Sequence, residues 1–201
     1  NPYINKNGTN STGGTPFNLA ATDDWNTVIG NTDISDATNT ITANNVVAPA
    51  ITSATYDYST NTLVVTGTGF LKRSGATNDI DISKLTFVGE GGITYTLTSA
   101  SDVEIDSGTQ FTVALSGADL TNVEALLNKD GTTSADATTY NLAAAEDWAA
   151  GADSAVNVAD TTGNGITVSN YSVPAITSAT YDASTGQLVI TGANFVNQSG
   201  A

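Results

Sequence analysis

The 201-residue chain carries 20 acidic against 5 basic residues, a formal net charge of −15, and contains no cysteine, histidine or methionine. Such a field repels nucleic acid and anionic membrane surfaces, because holding phosphate takes clusters of Lys and Arg, and only Lys6, Lys72, Arg73, Lys84 and Lys129 are present. Disulfides, zinc sites and His- or Cys-based catalytic pairs are excluded as well, and no enzyme is expected: a carboxylate pair would have to act alone, and nothing marks a pocket that raises one pKa.

In chain order, residues 1–48 align with 126–173. Asn5-Lys6-Asn7-Gly8 matches Asn128-Lys129-Asp130-Gly131, and Asn18-Leu-Ala-Ala-Thr-Asp-Asp-Trp25 matches Asn141-Leu-Ala-Ala-Ala-Glu-Asp-Trp148. The nine residues of 49–57, Pro-Ala-Ile-Thr-Ser-Ala-Thr-Tyr-Asp, return unchanged at 174–182. Leu63-Val64, Thr66-Gly67, Phe70 and Ser74-Gly75-Ala76 return as Leu188-Val189, Thr191-Gly192, Phe195 and Ser199-Gly200-Ala201. The constant offset of 125 residues is too long for a solenoid turn and fits a whole domain. The expected organisation is the back part of one unit in 1–48, a complete unit in 49–173 and the front part of the next in 174–201, an internal piece of an array.

Within the complete unit, Pro49 suits a strand start, residues 51–56 read as a strand, and Asp57 to Asn61 as the turn of a hairpin into Leu63-Val-Val-Thr66. Gly67-Thr-Gly69 allows a bend or bulge. Residues 71–83 read as a polar surface loop, and Leu85 and Phe87 as one strand face. Ile93, Tyr95 and Leu97 alternate with threonines, predicting a half-buried strand with these three inward. Val103 with Ile105, and Phe111 with Val113 and Leu115, give two further strands. Leu120, Val123, Leu126 and Leu127 form a helical stripe with Ser116 and Asp119 at its start. The alanines between Leu142 and Trp148 suggest a second helical turn, and 166–170 a last strand. Short strands at this spacing predict a mainly β, immunoglobulin-like sandwich with one or two short helices.

Pro49-x-Ile51, the turn around Ser59 to Asn61 and Leu63-Val-Val-Thr-Gly-Thr-Gly-Phe70 resemble the opening of IPT/TIG-type immunoglobulin-like domains. The 125-residue unit is similar to tandem repeats of giant bacterial surface proteins: adhesins, swimming-related and surface-layer-like proteins. The resemblance implies a structural repeat outside the bacterial cell, on its surface or secreted, partnered by neighbouring repeats or like chains. The absence of cysteine agrees with an exported bacterial protein, and no apolar run approaches the roughly 18 residues that span a bilayer.

Calcium is the cofactor this chemistry suits, since it takes six to eight oxygens from carboxylates, amides and backbone. Its candidate ligands are Asn78, Asp79 and Asp81 in one loop, Asp57 at the unit junction, and Asp147 and Asp160, which pair with Asp24 and Asp36 in the alignment. The opposing reading is that these carboxylates solvate the surface and cap turns. The spacing from Asp79 to Glu90 imitates an EF-hand loop but puts Lys84 where that loop turns on glycine. Trp25 and Trp148, in equivalent positions, offer either a glycan-stacking platform or a plug for a sandwich core.

Overall fold

The computed structural model describes residues 4–30, 32–98 and 101–195, so the repeated triplet at 199–201 lies outside the described residues. Twelve strands follow in chain order: β1 (Asn18–Ala21), β2 (Asp36–Thr40), β3 (Ala50–Asp57), β4 (Thr62–Thr68), β5 (Leu85–Val88), β6 (Thr94–Thr96), β7 (Ile105–Ser107), β8 (Gln110–Ala114), β9 (Asn141–Ala144), β10 (Ile166–Ser169), β11 (Ala175–Asp182) and β12 (Gln187–Ala193). One α-helix, α1 (Gly117–Leu126), follows β8.

Two sheets enclose one core. The larger has the order β10-β3-β4-β8-β7 and the smaller β6-β5-β9. Period-two alternation, interrupted once by a bulge after Ile51, sends Ile51, Ala54 and Tyr56, then Leu63 and Val65, then Phe111 and Val113 inward from the first sheet, to meet Leu85, Phe87, Leu142 and Ala144 from the second. Val123, Leu126 and Leu127 of the helix and its end close the core, with Phe70 and Trp148 among the inner side chains. The chain is mainly β, a sandwich of one mixed and one antiparallel sheet with one α-helix among the described residues.

The hairpin β3–β4 depends on two local devices. Its turn needs a left-handed residue, which Asn61 supplies at φ 55° and Gly186 at φ 70° in β11–β12. At Gly67 a Cβ would stand 2.2 Å from the Ala50 carbonyl and 2.4 Å from the Phe70 ring; at Gly192 the same two distances are 2.2 and 2.4 Å, to Ala175 and Phe195. Both glycines admit an aromatic ring that folds back over the strand, beside a bulge between Ile51 and Ser53 or Ile176 and Ser178.

Four expectations are corrected. The segment after Tyr140 is strand β9, with Leu142 and Ala144 inward and paired to β5, so alternation prevailed over the helix preference of alanine. Ile93 is 61% exposed and only Leu97 of its trio is fully inward, because β6 is a three-residue edge strand entered from a turn with Gly91 and Gly92 left-handed. Residues 71–83 are not wholly surface: Asp79, Ile80 and Ile82 are buried, and Ile80 bridges both Val103 and Ala149. Ser116 stands at the helix N-cap without a side-chain cap bond; Asp119 instead accepts from the Tyr95 hydroxyl at 2.8 Å and the Thr98 N–H at 3.0 Å, tying the helix to β6.

Candidate functional site

The first and last strands of the 49–173 stretch lie side by side. β10 pairs with β3 in parallel, with Ile166, Thr167, Val168 and Ser169 opposite Ala54, Thr55, Tyr56 and Asp57. The Ala54 N–H donates to the Gly165 carbonyl at 2.9 Å and the Tyr58 N–H to that of Ser169 at 3.0 Å. Two of the candidate aspartates reinforce this pairing. Asp57 accepts from the Asn170 amide at 3.0 Å beyond the end of β10, and Asp160 accepts the Ile51 N–H at 2.8 Å and the Asn164 amide at 2.9 Å before its start.

The segment before Pro49 meets the complete unit through Lys6 and through the Val47 and Ala48 carbonyls, which lie against Gly69. Lys6 Nζ stands 3.2 Å from Asp153 Oδ1, above a cavity of about 160 Å³ lined by Asn7, Val46, Val47, Pro49, Leu71 and Val158 among others. A partly exposed pair of this kind contributes about 0–1 kcal/mol, so it fixes orientation more than it holds the contact.

The same hydrogen bonds occur in residues 4–48 and in residues 126–173. Gly8 and Ala43 exchange both backbone bonds, as do Gly131 and Val168. Asn18 accepts the Asn39 N–H and donates to the Ala37 carbonyl; Asn141 accepts the Asn164 N–H and donates to that of Thr161. The Trp25 indole donates to Ile34 at 2.9 Å and the Trp148 indole to Val158 at 2.8 Å. Asp24 and Asp147, each before its tryptophan, are left-handed at φ 57° and 64°. Asp147 is thus a backbone pivot, exposed to solvent.

The remaining carboxylates divide by what they accept. Asp81 accepts the N–H and hydroxyl of Ser83 at 3.0 and 2.6 Å, as Asp33 does from Ser35, Asp57 from Ser59 and Asp182 from Ser184. This Asp-x-Ser turn occurs four times among the described residues, and the serine bonds hold Asp33, Asp57 and Asp182 below the usual carboxylate range. Asp79 is buried and accepts backbone N–H groups from Arg73 and Ile105. Asn78 donates its N–H to Glu104 and its side-chain amide to the Ser74 carbonyl, but its Oδ1 is buried without a partner. Among the described residues no three carboxylates converge.

Trp148 is 0% exposed, edge-on to Phe70 at 5.6 Å, and presents no face to a sugar. Trp25 is 60% exposed, since residues 4–48 bring no counterpart of Phe70 or Phe111.

Sequence reasoning missed an aromatic–acid cluster over the helix. Tyr56, Tyr58 and Tyr171 stack edge to face at 5.2 and 5.1 Å, the Tyr58 hydroxyl reaches the carbonyls of Glu124 and Leu127, and the Tyr56 hydroxyl donates to Glu124 Oε1 at 3.3 Å. Burial pushes Tyr56 and Tyr58 above the ordinary phenol range, Tyr140 up to about 12, and raises Glu124 above the usual carboxylate value. A carboxylate raised in the fold disfavours folding when ionised, and this penalty disappears as pH falls below its unfolded value. Glu124→Gln, which keeps the acceptor for Tyr56, is therefore expected to raise Tm at pH 7 and to match wild type near pH 3; thermal melts at both pH values check it.

Compared with protein-family models, characterised proteins and solved structures, the chain matches none. No helix among the described residues is long and apolar enough to cross a membrane.

Proposed function

We propose that this chain is a force-carrying structural module: part of a tandem array of immunoglobulin-like repeats in an extracellular bacterial surface protein, an adhesin stalk, surface layer or filament. The observation that carries the reading is the parallel pairing of β3 with β10. A unit in series is pulled by the start of its first strand and the end of its last. In a parallel pair those points lie at opposite ends of the ladder, so tension loads every bond together in shear. The two aspartate clips sit at either end of that pair, where opening would begin. The recurring hydrogen bonds and the contact at Lys6 and Asp153 favour units stacked in register over beads on a loose string.

Pulling direction tests the idea, and the chain has no native cysteine to interfere with thiol attachment. Attached at 49 and 173, the unit is expected to unfold at several-fold higher force than when attached at 59 and 173, where the same ladder opens one bond at a time. Unfolding then releases roughly 400 Å of chain, at about 3.3–3.6 Å per residue. Equal forces from the two attachments would remove the mechanical role.

Calcium enters this reading as a stiffening ion at the Asn78 loop, supported by the buried, unpartnered Asn78 Oδ1 on a residue whose backbone N–H is held by the Glu104 carboxylate. Ion present at tenfold its dissociation constant adds roughly 1.4 kcal/mol to the folded state. The expected result is a Tm several degrees higher in millimolar calcium than in chelator, and no such difference in Asn78→Ala. A wild-type Tm that ignores calcium removes the ion from the proposal.

A further inference from the structure

Two Asn-Gly dipeptides occur in the chain, at 7–8 and 164–165. Asn-Gly readily loses the side-chain ammonia, because glycine has no Cβ to shield its backbone nitrogen or to restrict the rotation that brings it to the amide carbon. Asn7 is exposed, whereas Asn164 is 2% exposed, immediately before β10. There both reacting groups are pinned. The Asn164 amide nitrogen faces three acceptors, the carbonyls of Leu142 and Asp160 at 3.0 and 3.1 Å and Asp160 Oδ1 at 2.9 Å. The Asn164 N–H donates to Asn141 Oδ1 at 3.0 Å, and the Leu142 N–H donates to the Asn164 carbonyl at 2.9 Å, which fixes the peptide plane carrying the Gly165 nitrogen. Ring closure requires that plane to turn and the side chain to leave its acceptors, and the folded unit permits neither.

We propose that Asn164-Gly165 is a conditional modification site, silent in the folded unit and converted when the unit stays open, after which the unit no longer closes. In the open chain the Gly165 nitrogen attacks Asn164 Cγ, the bond from Cγ to the amide nitrogen breaks, and the Gly165 proton leaves with the ammonia. Water then opens the succinimide at either carbonyl, giving aspartate or isoaspartate. Neither product fits the folded turn. A carboxylate would take the place of the donor among three acceptors, one of them the Asp160 carboxylate, in a buried site. Isoaspartate also lengthens the backbone by one methylene at the entry to β10. Asp160 holds the Ile51 N–H through its other oxygen at 2.8 Å, so the damage reaches β3 as well. Chemical change in the unfolded state that outpaces refolding makes opening irreversible.

The other copy of this turn has the same hydrogen bonds without the reactive glycine. Asn39 stands where Asn164 stands; its N–H donates to Asn18 Oδ1 and its amide to the Leu19 and Asp36 carbonyls, but Thr40 follows it. Nor does the fold call for glycine at 165. A Cβ added there meets no atom within 4 Å, and the backbone lies outside the left-handed region. What Gly165 adds at this position is reactivity. The site rests on this chemistry and not on the mechanical reading, since denaturant exposes it as force does.

The test holds the full chain at mildly alkaline pH, in plain buffer and in denaturing guanidinium, and follows Asn164 by peptide mapping. Conversion is expected to be at least tenfold faster in guanidinium, where Asn7-Gly8 gives the open-chain rate as an internal standard. The fraction that regains its near-UV circular dichroism on dilution should fall in step with conversion at Asn164. Gly165→Ala is expected to fold as the wild type does, to slow conversion at Asn164 at least tenfold and to keep refolding intact. Equal conversion in the two solvents overturns the proposal, and that comparison needs no variant. Recovery of the wild-type Tm by converted chains overturns it too, as does a loss of refolding that persists in Gly165→Ala.

Discussion

Trp148→Ala is expected to destabilise the 49–173 unit by about 3–5 kcal/mol, and Trp25→Ala at the equivalent position by under about 1 kcal/mol in dilute solution. Both indoles donate one backbone hydrogen bond of nearly equal length, to Val158 and to Ile34, so the hydrogen bond cannot make the difference. Packing does. Trp148 is 0% exposed and its ring lies 5.6 Å from Phe70 and 6.0 Å from Phe111, whereas Trp25 is 60% exposed. Removing the buried ring leaves a cavity that Phe70 and Phe111, already packed on each other at 5.5 Å, fill only in part. Trp148→Phe should recover most of the packing and lose about 1–2 kcal/mol through the unpaired Val158 carbonyl. Urea unfolding followed by far-UV circular dichroism checks all three, since Trp148→Ala and Trp148→Phe both remove the one buried indole. Equal losses from the two alanine variants would mean that residues 4–48 are covered in solution.

The contrast between copies explains what the sequence could disclose. Residues 49–57 and 174–182 are identical, form the same strand with the same bulge and end in the same Asp-x-Ser turn, yet Tyr56 is 0% exposed and Tyr181 66%. Strand, turn and register come from local chemistry, and burial comes from whatever the rest of a unit supplies. Hence β3, β4, β8, β10 and α1 were legible from alternation and the helical stripe. The strand at Asn141–Ala144 was not, because its inward alanine has no β signature until Leu85 and Phe87 face it. The candidate aspartates were found by type, but their roles lay in long-range partners. Asp160 is bonded to Ile51, 109 residues away, and Lys6 to Asp153 across the junction. Their one local signal was recurrence: Lys6 and Lys129 are repeated, while Asp153 falls near the two-residue length change between copies. The Tyr56–Tyr58–Glu124 cluster left even less trace, since no spacing joins a hairpin tyrosine to a helix carboxylate.

Asp79 poses the sharpest test of what a buried carboxylate does here. It is fully buried, its two oxygens accept the N–H groups of Arg73 and Ile105, and its own carbonyl accepts from Ala150 at 2.8 Å. Three segments distant in sequence are thereby pinned at one point: the loop after Phe70, the start of β7 and the stretch after Trp148. Asp79→Ala orphans two backbone donors, at about 1–3 kcal/mol each, and a loss of about 3 kcal/mol or more is expected. Asp79→Asn should be little better despite its near-identical shape. One amide oxygen can still accept, but the amide nitrogen must turn a donor toward a donor. The loss should be as large in excess chelator as in millimolar calcium, because the partners are N–H groups of the protein itself. If Asp79→Asn is neutral in chelator and damaging only in calcium, the carboxylate serves an ion and the three-way pin is secondary. Equilibrium unfolding of both variants in the two buffers decides between them.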